Sequence, residues 1–227
     1  MSRDLRSENC GPAPDDSGLM VAAEWLSGLF IAPLSPQQVA EAGAAPSKNA
    51  LRRIGAQLGA PTTAEKLCGV LEGKEPESLT VQLQRRYTAL FEGIFRHRAV
   101  LPYESVWRDE SATLDGDSVT EMNAVLRELD VHISSDCCEP ANHLAIELAA
   151  LAAALGAGQT SVAVDLVKRL DGWAPAFASA LKRQDPEGFY AAAGELLLAL
   201  IRTAQTALRV TESATATVNK QSEGDFA

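Results

Sequence analysis

An all-α fold is what this sequence of 227 residues predicts. Three observations lead there. Helix start and stop signals recur along most of the chain, and apolar residues repeat at three- and four-residue spacing. No run of alternating β-branched residues is present to build a strand. The expectation is a helical bundle of about nine helices in two subdomains joined by a hinge.

Residues 1–16, rich in Pro, Asp and Ser, read as a flexible arm. The N-terminal subdomain, 17–130, opens on the apolar stretch Leu19 to Leu34, which Glu24 and Pro33 interrupt. Ser35-Pro36-Gln37-Gln38 is a capping box with proline at the first helical position, and Gly43 closes that helix. Ser47 opens the next helix and Gly59 ends it. Thr62-Thr63-Ala64-Glu65 makes another capping box, with Gly73 as the stop. Residues 76–96 place Leu79, Leu83, Tyr87, Leu90, Phe91 and Ile94 on one stripe, and Tyr87, Phe91 and Phe95 read as core. Ser118-Val119-Thr120-Glu121 caps one more helix.

Two long connections, roughly 99–117 and 130–142, stand out, because loops of that length in a helical protein tend to be functional or to join subdomains. The hinge is placed at 131–142. The C-terminal subdomain, 143–210, holds an alanine-rich helix over 139–155 with Pro140 at its first position, then helices near 160–183 and 186–209. Residues 211–227 read as a disordered polar tail.

A net charge of −10 and a pI near 4.8 argue against nucleic-acid binding and suit a cationic partner. The apolar stretches are too short to span a bilayer, so no stable membrane insertion is expected. The N-terminus lacks a charged-then-apolar signal layout, which makes the cytoplasm the expected address. The four cysteines, Cys10, Cys68, Cys137 and Cys138, show no C-x-x-C spacing and are expected to be reduced.

Signs of catalysis fail one after another. GVLEGKE (69–75) is one residue short of a phosphate loop, lacks the Ser/Thr after Lys74 and follows no strand. His143 and Glu147 stand at i and i+4, but His97 and His132 bring no matching ligands, so a hydrogen-bonded histidine is the simpler reading. No enzyme activity, cofactor or metal is expected. The open question is why Glu139, Pro140, Asn142 and His143 crowd the entrance of a helix made of little but alanine and leucine.

At Pro102-Tyr103-Glu104-Ser105-Val106-Trp107 and Glu139-Pro140-Ala141-Asn142-His143 the chain resembles the TorD/DmsD/NarJ family of redox-enzyme maturation chaperones. Arg85, Tyr87, Leu90, Phe91 and Gly93 match the helix that precedes the first of these motifs. Leu170 to Leu181 and Phe189 to Ile201 resemble the family's closing helices. The motifs occur in the same order over roughly 18–205. The chain departs from the pattern at Asn142, where the family usually has aspartate. The resemblance implies a cytoplasmic chaperone that binds the twin-arginine signal peptide, the apo-form of a molybdenum-containing oxidoreductase, or both. It implies a peptide site built from Tyr103, Glu104, Ser105, Trp107, Glu139, Pro140, Asn142, His143 and Glu147. Glu104 and Glu139 are the expected arginine partners, with Tyr103, Val106 and Trp107 as an apolar wall; the competing reading is that Tyr103 and Trp107 pin the loop. Two other classes stay open: a guanine-nucleotide-binding regulator, and a helical assembly scaffold, the hinge also allowing a domain-swapped homodimer.

Overall fold

The computed structural model describes residues 16–72, 75–93, 99–108, 116–134 and 136–224, with side chains over 17–209. Eleven helices and no strand make up the described residues: α1 Asp16–Ile31, α2 Pro36–Gly43, α3 Ala45–Gln57, α4 Pro61–Val70, α5 Pro76–Phe91, α6 Glu104–Arg108, α7 Asp117–Glu128, α8 Leu144–Gly156, α9 Thr160–Asp171, α10 Ala174–Gln184 and α11 Phe189–Gly224. The all-α expectation holds, with more helices than the spacing gave. The arm at 1–15 and residues Gly73, Lys74, Ile94 and Phe95 lie outside the described residues.

Local chemistry explains most boundaries. The capping box at Ser35 forms as read: its Oγ accepts the Gln38 N–H while Gln38 Oε1 accepts the Ser35 N–H at 2.8 Å. Elsewhere proline overrides the serine and threonine signals. Pro46 and Pro61 occupy the first turns of α3 and α4, so these helices begin at Ala45 and Pro61 rather than after Ser47 and Thr62. Glycine did not set the end of α4 at Gly73, since the helix stops at Val70. The single helix expected over 160–183 is two, broken at Gly172-Trp173 with Pro175 in the first turn of α10. α11 runs on to Gly224, through most of the polar segment 211–227.

α1 and α8 form the most extensive helix pair, and alanine is the reason. Ala22 and Ala23 on α1 and Ala145 and Ala152 on α8 are buried, and short side chains let two backbones approach closely. Ser27 Oγ donates to the Ala145 carbonyl at 2.7 Å across that seam. α11 packs on α4, α9, α10 and α1, so one hydrophobic core runs through helices on both sides of 131–142. At its centre Phe30, Phe91, Phe177 and Tyr190 meet mostly edge to face at 5.2–5.8 Å, a favoured aromatic geometry. The Tyr87 hydroxyl donates to the Phe30 carbonyl at 2.9 Å, fixing α5 against the end of α1. Tyr87 and Phe91 are therefore core, as their stripe predicts.

Candidate functional site

The two motif segments lie side by side. The Glu104 N–H donates to the Asn142 carbonyl at 3.0 Å, and the Leu144 N–H donates to the Pro102 carbonyl at 2.8 Å. A single antiparallel bridge thus joins Tyr103 to His143, the one place where extended segments pair among the described residues. α8 starts at Leu144, not at Pro140. His143 is its N-cap: Nδ1 accepts the Ala145 N–H at 3.1 Å, replacing the usual Ser or Asp. Pro140 is half-buried in the turn before, where its carbonyl accepts the His143 N–H at 3.0 Å.

Because Nδ1 is an acceptor, the cap requires a neutral ring. Burial pushes the His143 pKa down to about 4, partly countered by the Glu139 carboxylate. The sign follows by linkage. Between about 4 and 6.5 the unfolded chain holds a proton that the folded ring does not, so stability falls as pH drops through that window. We expect His143→Asn, which can still cap the helix, to remove on the order of 1–2 kcal/mol of the loss between pH 7 and pH 5. Urea midpoints at the two pH values check this, and an unchanged slope would contradict it.

Behind the bridge runs a polar seam inside the core. Glu104, Ser105, Asn142 and Glu147 are all buried. Arg169, from α9, is only 10% exposed and reaches into the seam. Its Nη2 pairs with Glu104 Oε2 and donates to the Ser118 carbonyl at 2.7 Å. Its Nη1 meets Glu121 at 3.0 Å, and its Nε faces Glu147 Oε1 at 3.7 Å. Arg108 holds the other oxygen of Glu104. Trp173 Nε1 donates to Glu147 Oε2 at 3.1 Å. Burial, reinforced by the Glu104 carboxylate, raises the Glu147 pKa well above the usual range, against the pull of Arg169 and Trp173. Asn142 Nδ2 donates to Ser105 Oγ at 2.9 Å and to Ser118 Oγ at 3.0 Å. The seam ties α6, α7, α8 and α9 together.

On the outer side of the bridge lies a cleft of about 440 Å³. Tyr103, Glu139, His143 and Glu92 supply its polar lining, while Ile31, Pro33, Phe91, Leu101 and Pro102 supply an apolar wall. The Tyr103 hydroxyl donates to Glu139 Oε2 at 2.7 Å and leaves the other carboxylate oxygen for a further donor. Among the described residues no Lys or Arg lines this cleft. Two carboxylates beside an apolar wall can hold a cation attached to a hydrophobic body.

Comparison with known proteins decides the family. The model of the nitrate reductase delta subunit family matches residues 53–181. The chaperone protein TorD of Vibrio cholerae serotype O1 is 30% identical over 191 residues, covering 78% of this chain and 86% of that one. TorD of Aeromonas salmonicida is 29% identical over 189 residues, 76% and 83% of the two chains. TorD of Vibrio parahaemolyticus is 25% identical over 191 residues, 78% and 88%. The chain belongs to the nitrate reductase delta subunit family. Its relatives are named as chaperones, and its role is that of a system-specific chaperone in molybdoenzyme maturation, not an enzyme.

Within this family member the residues expected from the sequence separate into three places. Tyr103, Glu139 and His143 line the cleft together. Glu104, Ser105, Asn142 and Glu147 belong to the buried seam, so neither Glu104 nor Asn142 faces an arriving arginine. The Asn142 amide nitrogen donates to two serine hydroxyls at once, while its buried Oδ1 has no partner among the described residues. Trp107 is half-buried, donates from Nε1 to the Leu101 carbonyl at 2.8 Å and stands edge-on to Phe177 at 6.1 Å, which is the pinning arrangement. Val106 is half-buried on the same short helix.

Sequence reasoning missed Arg169, Ser118 and Glu92. Arg169 had a signal: Val162, Leu166, Arg169 and Trp173 step by four, three and four, so a cation sits on the buried stripe of α9 and needs an acid. Ser118 was read as a cap, but Gly116 precedes α7 and Ser118 points inward. Cys68, Cys137 and Cys138 are free thiols, Cys10 lies outside the described residues, and no metal-holding group of His, Cys, Asp or Glu occurs among the described residues. No helix of the described residues is long and apolar enough to cross a membrane.

Proposed function

We propose that this chaperone binds the twin-arginine leader of an apo-molybdoenzyme at the Tyr103–Glu139 cleft and holds it in the cytoplasm while cofactor is inserted. The observation that carries the reading is the pair of carboxylates, Glu139 and Glu92, beside an apolar wall with no neighbouring described cation. Glu139 and Glu92 meet the guanidinium groups in this reading, and Glu104, already held by Arg169 and Arg108, keeps the cleft in shape. A nucleotide-binding role gains no support, because Gly69 of the GVLEGKE stretch lies within α4 and not after a strand. A second copy exchanging residues 143–210 across 131–142 would keep the α1–α8 pairing but between protomers; sedimentation tests that separately.

Calorimetry with a leader peptide tests the function. A dissociation constant on the order of micromolar, about −8 kcal/mol, suits a chaperone that must release its client. The affinity should fall several-fold between low and 0.5 M salt, since part of the attraction acts between partly exposed charges. Equal affinity for the leader and a scrambled peptide would overturn the proposal.

A further inference from the structure

The cleft accounts for the cationic front of a leader and leaves its apolar middle unseated. A second concavity, about 380 Å³, lies between α1, α2 and α3. Its floor is Leu29, Leu34, Leu51 and Ile54. Along α1 its rim carries Val21, Trp25 and Gly28 at i, i+4 and i+7: Val21 is 41% exposed, Gly28 is exposed and Trp25 is half-buried. A Cβ at Gly28 would meet nothing within 4 Å. The charged groups among its described lining are Glu24 and Glu41, both acids.

The groove adjoins the cleft. Pro33 lines the cleft and Leu34, the next residue, lines the groove, so a single peptide unit joins the two linings. The Gln84 amide donates to the Leu34 carbonyl at 3.0 Å, and Tyr87 holds Phe30, so the partition between them is braced from α5. From Val21 to Gly28 the rim runs about 10 Å along the helix axis, which matches about two turns of a helical partner.

We infer that this groove receives the apolar middle of the same peptide whose cationic front occupies the Tyr103–Glu139 cleft, making one bipartite site divided by Pro33-Leu34. The inference rests on the function proposed above. Charge supports it, because an apolar segment flanked by basic residues matches an apolar floor with an acidic rim. Sequence adjacency supports it as well, because Pro33 lines the cleft and the next residue, Leu34, lines the groove.

The test uses the full-length protein and two peptides: the whole leader, and its twin-arginine front alone. Gly28→Leu fills the groove from a helical position with open space around it and replaces a poor helix former with a good one, so the fold is kept. We expect it to weaken the whole leader at least about tenfold, roughly 1.4 kcal/mol, and to leave the front peptide within about twofold. Val21→Glu, a change at an exposed position, should shift affinity in the same direction. An unchanged whole-leader affinity in both variants, or equal losses for both peptides, overturns the inference while leaving the cleft reading intact. If the unmodified protein binds neither peptide, the function proposed above falls and takes the groove with it. If Gly28→Leu instead converts a dimer to a monomer in sedimentation, the groove is a self-interface and the inference is wrong.

Discussion

Replacing Arg169 with methionine should cost about 3–5 kcal/mol of stability, the usual result of removing one partner from a buried ion pair. The size follows from what is left behind. Glu104 has no exposed surface, and without Arg169 its one remaining cation among the described residues is Arg108, which is 44% exposed. The Ser118 carbonyl loses its donor, and Glu147 loses the cation that offsets its burial. Methionine preserves most of the side-chain volume, so the loss reports charge and hydrogen bonding and not a cavity. The double variant Arg169→Met with Glu104→Gln should recover part of the loss, because a neutral amide is cheaper to bury than a carboxylate. Urea denaturation of both variants checks this. A change below about 1 kcal/mol for Arg169→Met would mean that the seam orders the helices without stabilising them.

Glu139→Lys should leave the fold standing and weaken leader binding by about a hundredfold, near 2.7 kcal/mol. Glu139 is half-buried on a loop and its one described side-chain bond is to the Tyr103 hydroxyl, so little of the core depends on it. The lysine both removes a carboxylate and places a cation against the arginines. Melting temperature within a few degrees of the unmodified protein, together with the affinity loss, is the expected pair of results. A large fall in melting temperature with binding retained would assign Glu139 to structure alone.

Periodicity made the helices legible, but their starting points were set by proline more often than by the serine and threonine signals. Ser47, Thr62 and Ser118 all look like caps in sequence, and none serves as one, because Pro46, Pro61 and Gly116 reach the helix start first. The break at Trp173 was hidden because its flanks, Leu170 and Phe177, continue the same apolar stripe. For the site, the motifs located the right junction but not the direction each side chain takes. Glu104 and Glu139 are both acids in loop-like sequence, yet one is sealed behind a two-bond bridge and the other opens to a cleft. That difference arises from pairing between residues about forty positions apart, which local pattern does not encode. Asn142 illustrates the same point: its amide makes sense only once Ser105 and Ser118 are seen on either side of it.

A double-mutant cycle between Glu139→Gln and substitution of glutamine for the twin arginines of the leader tests the central claim most directly. If Glu139 meets those arginines in the cleft, the two changes are coupled by about 1 kcal/mol or more, and the coupling shrinks as salt is raised. Losses that simply add, with no coupling at low salt, would contradict the account and place the leader somewhere else on the protein.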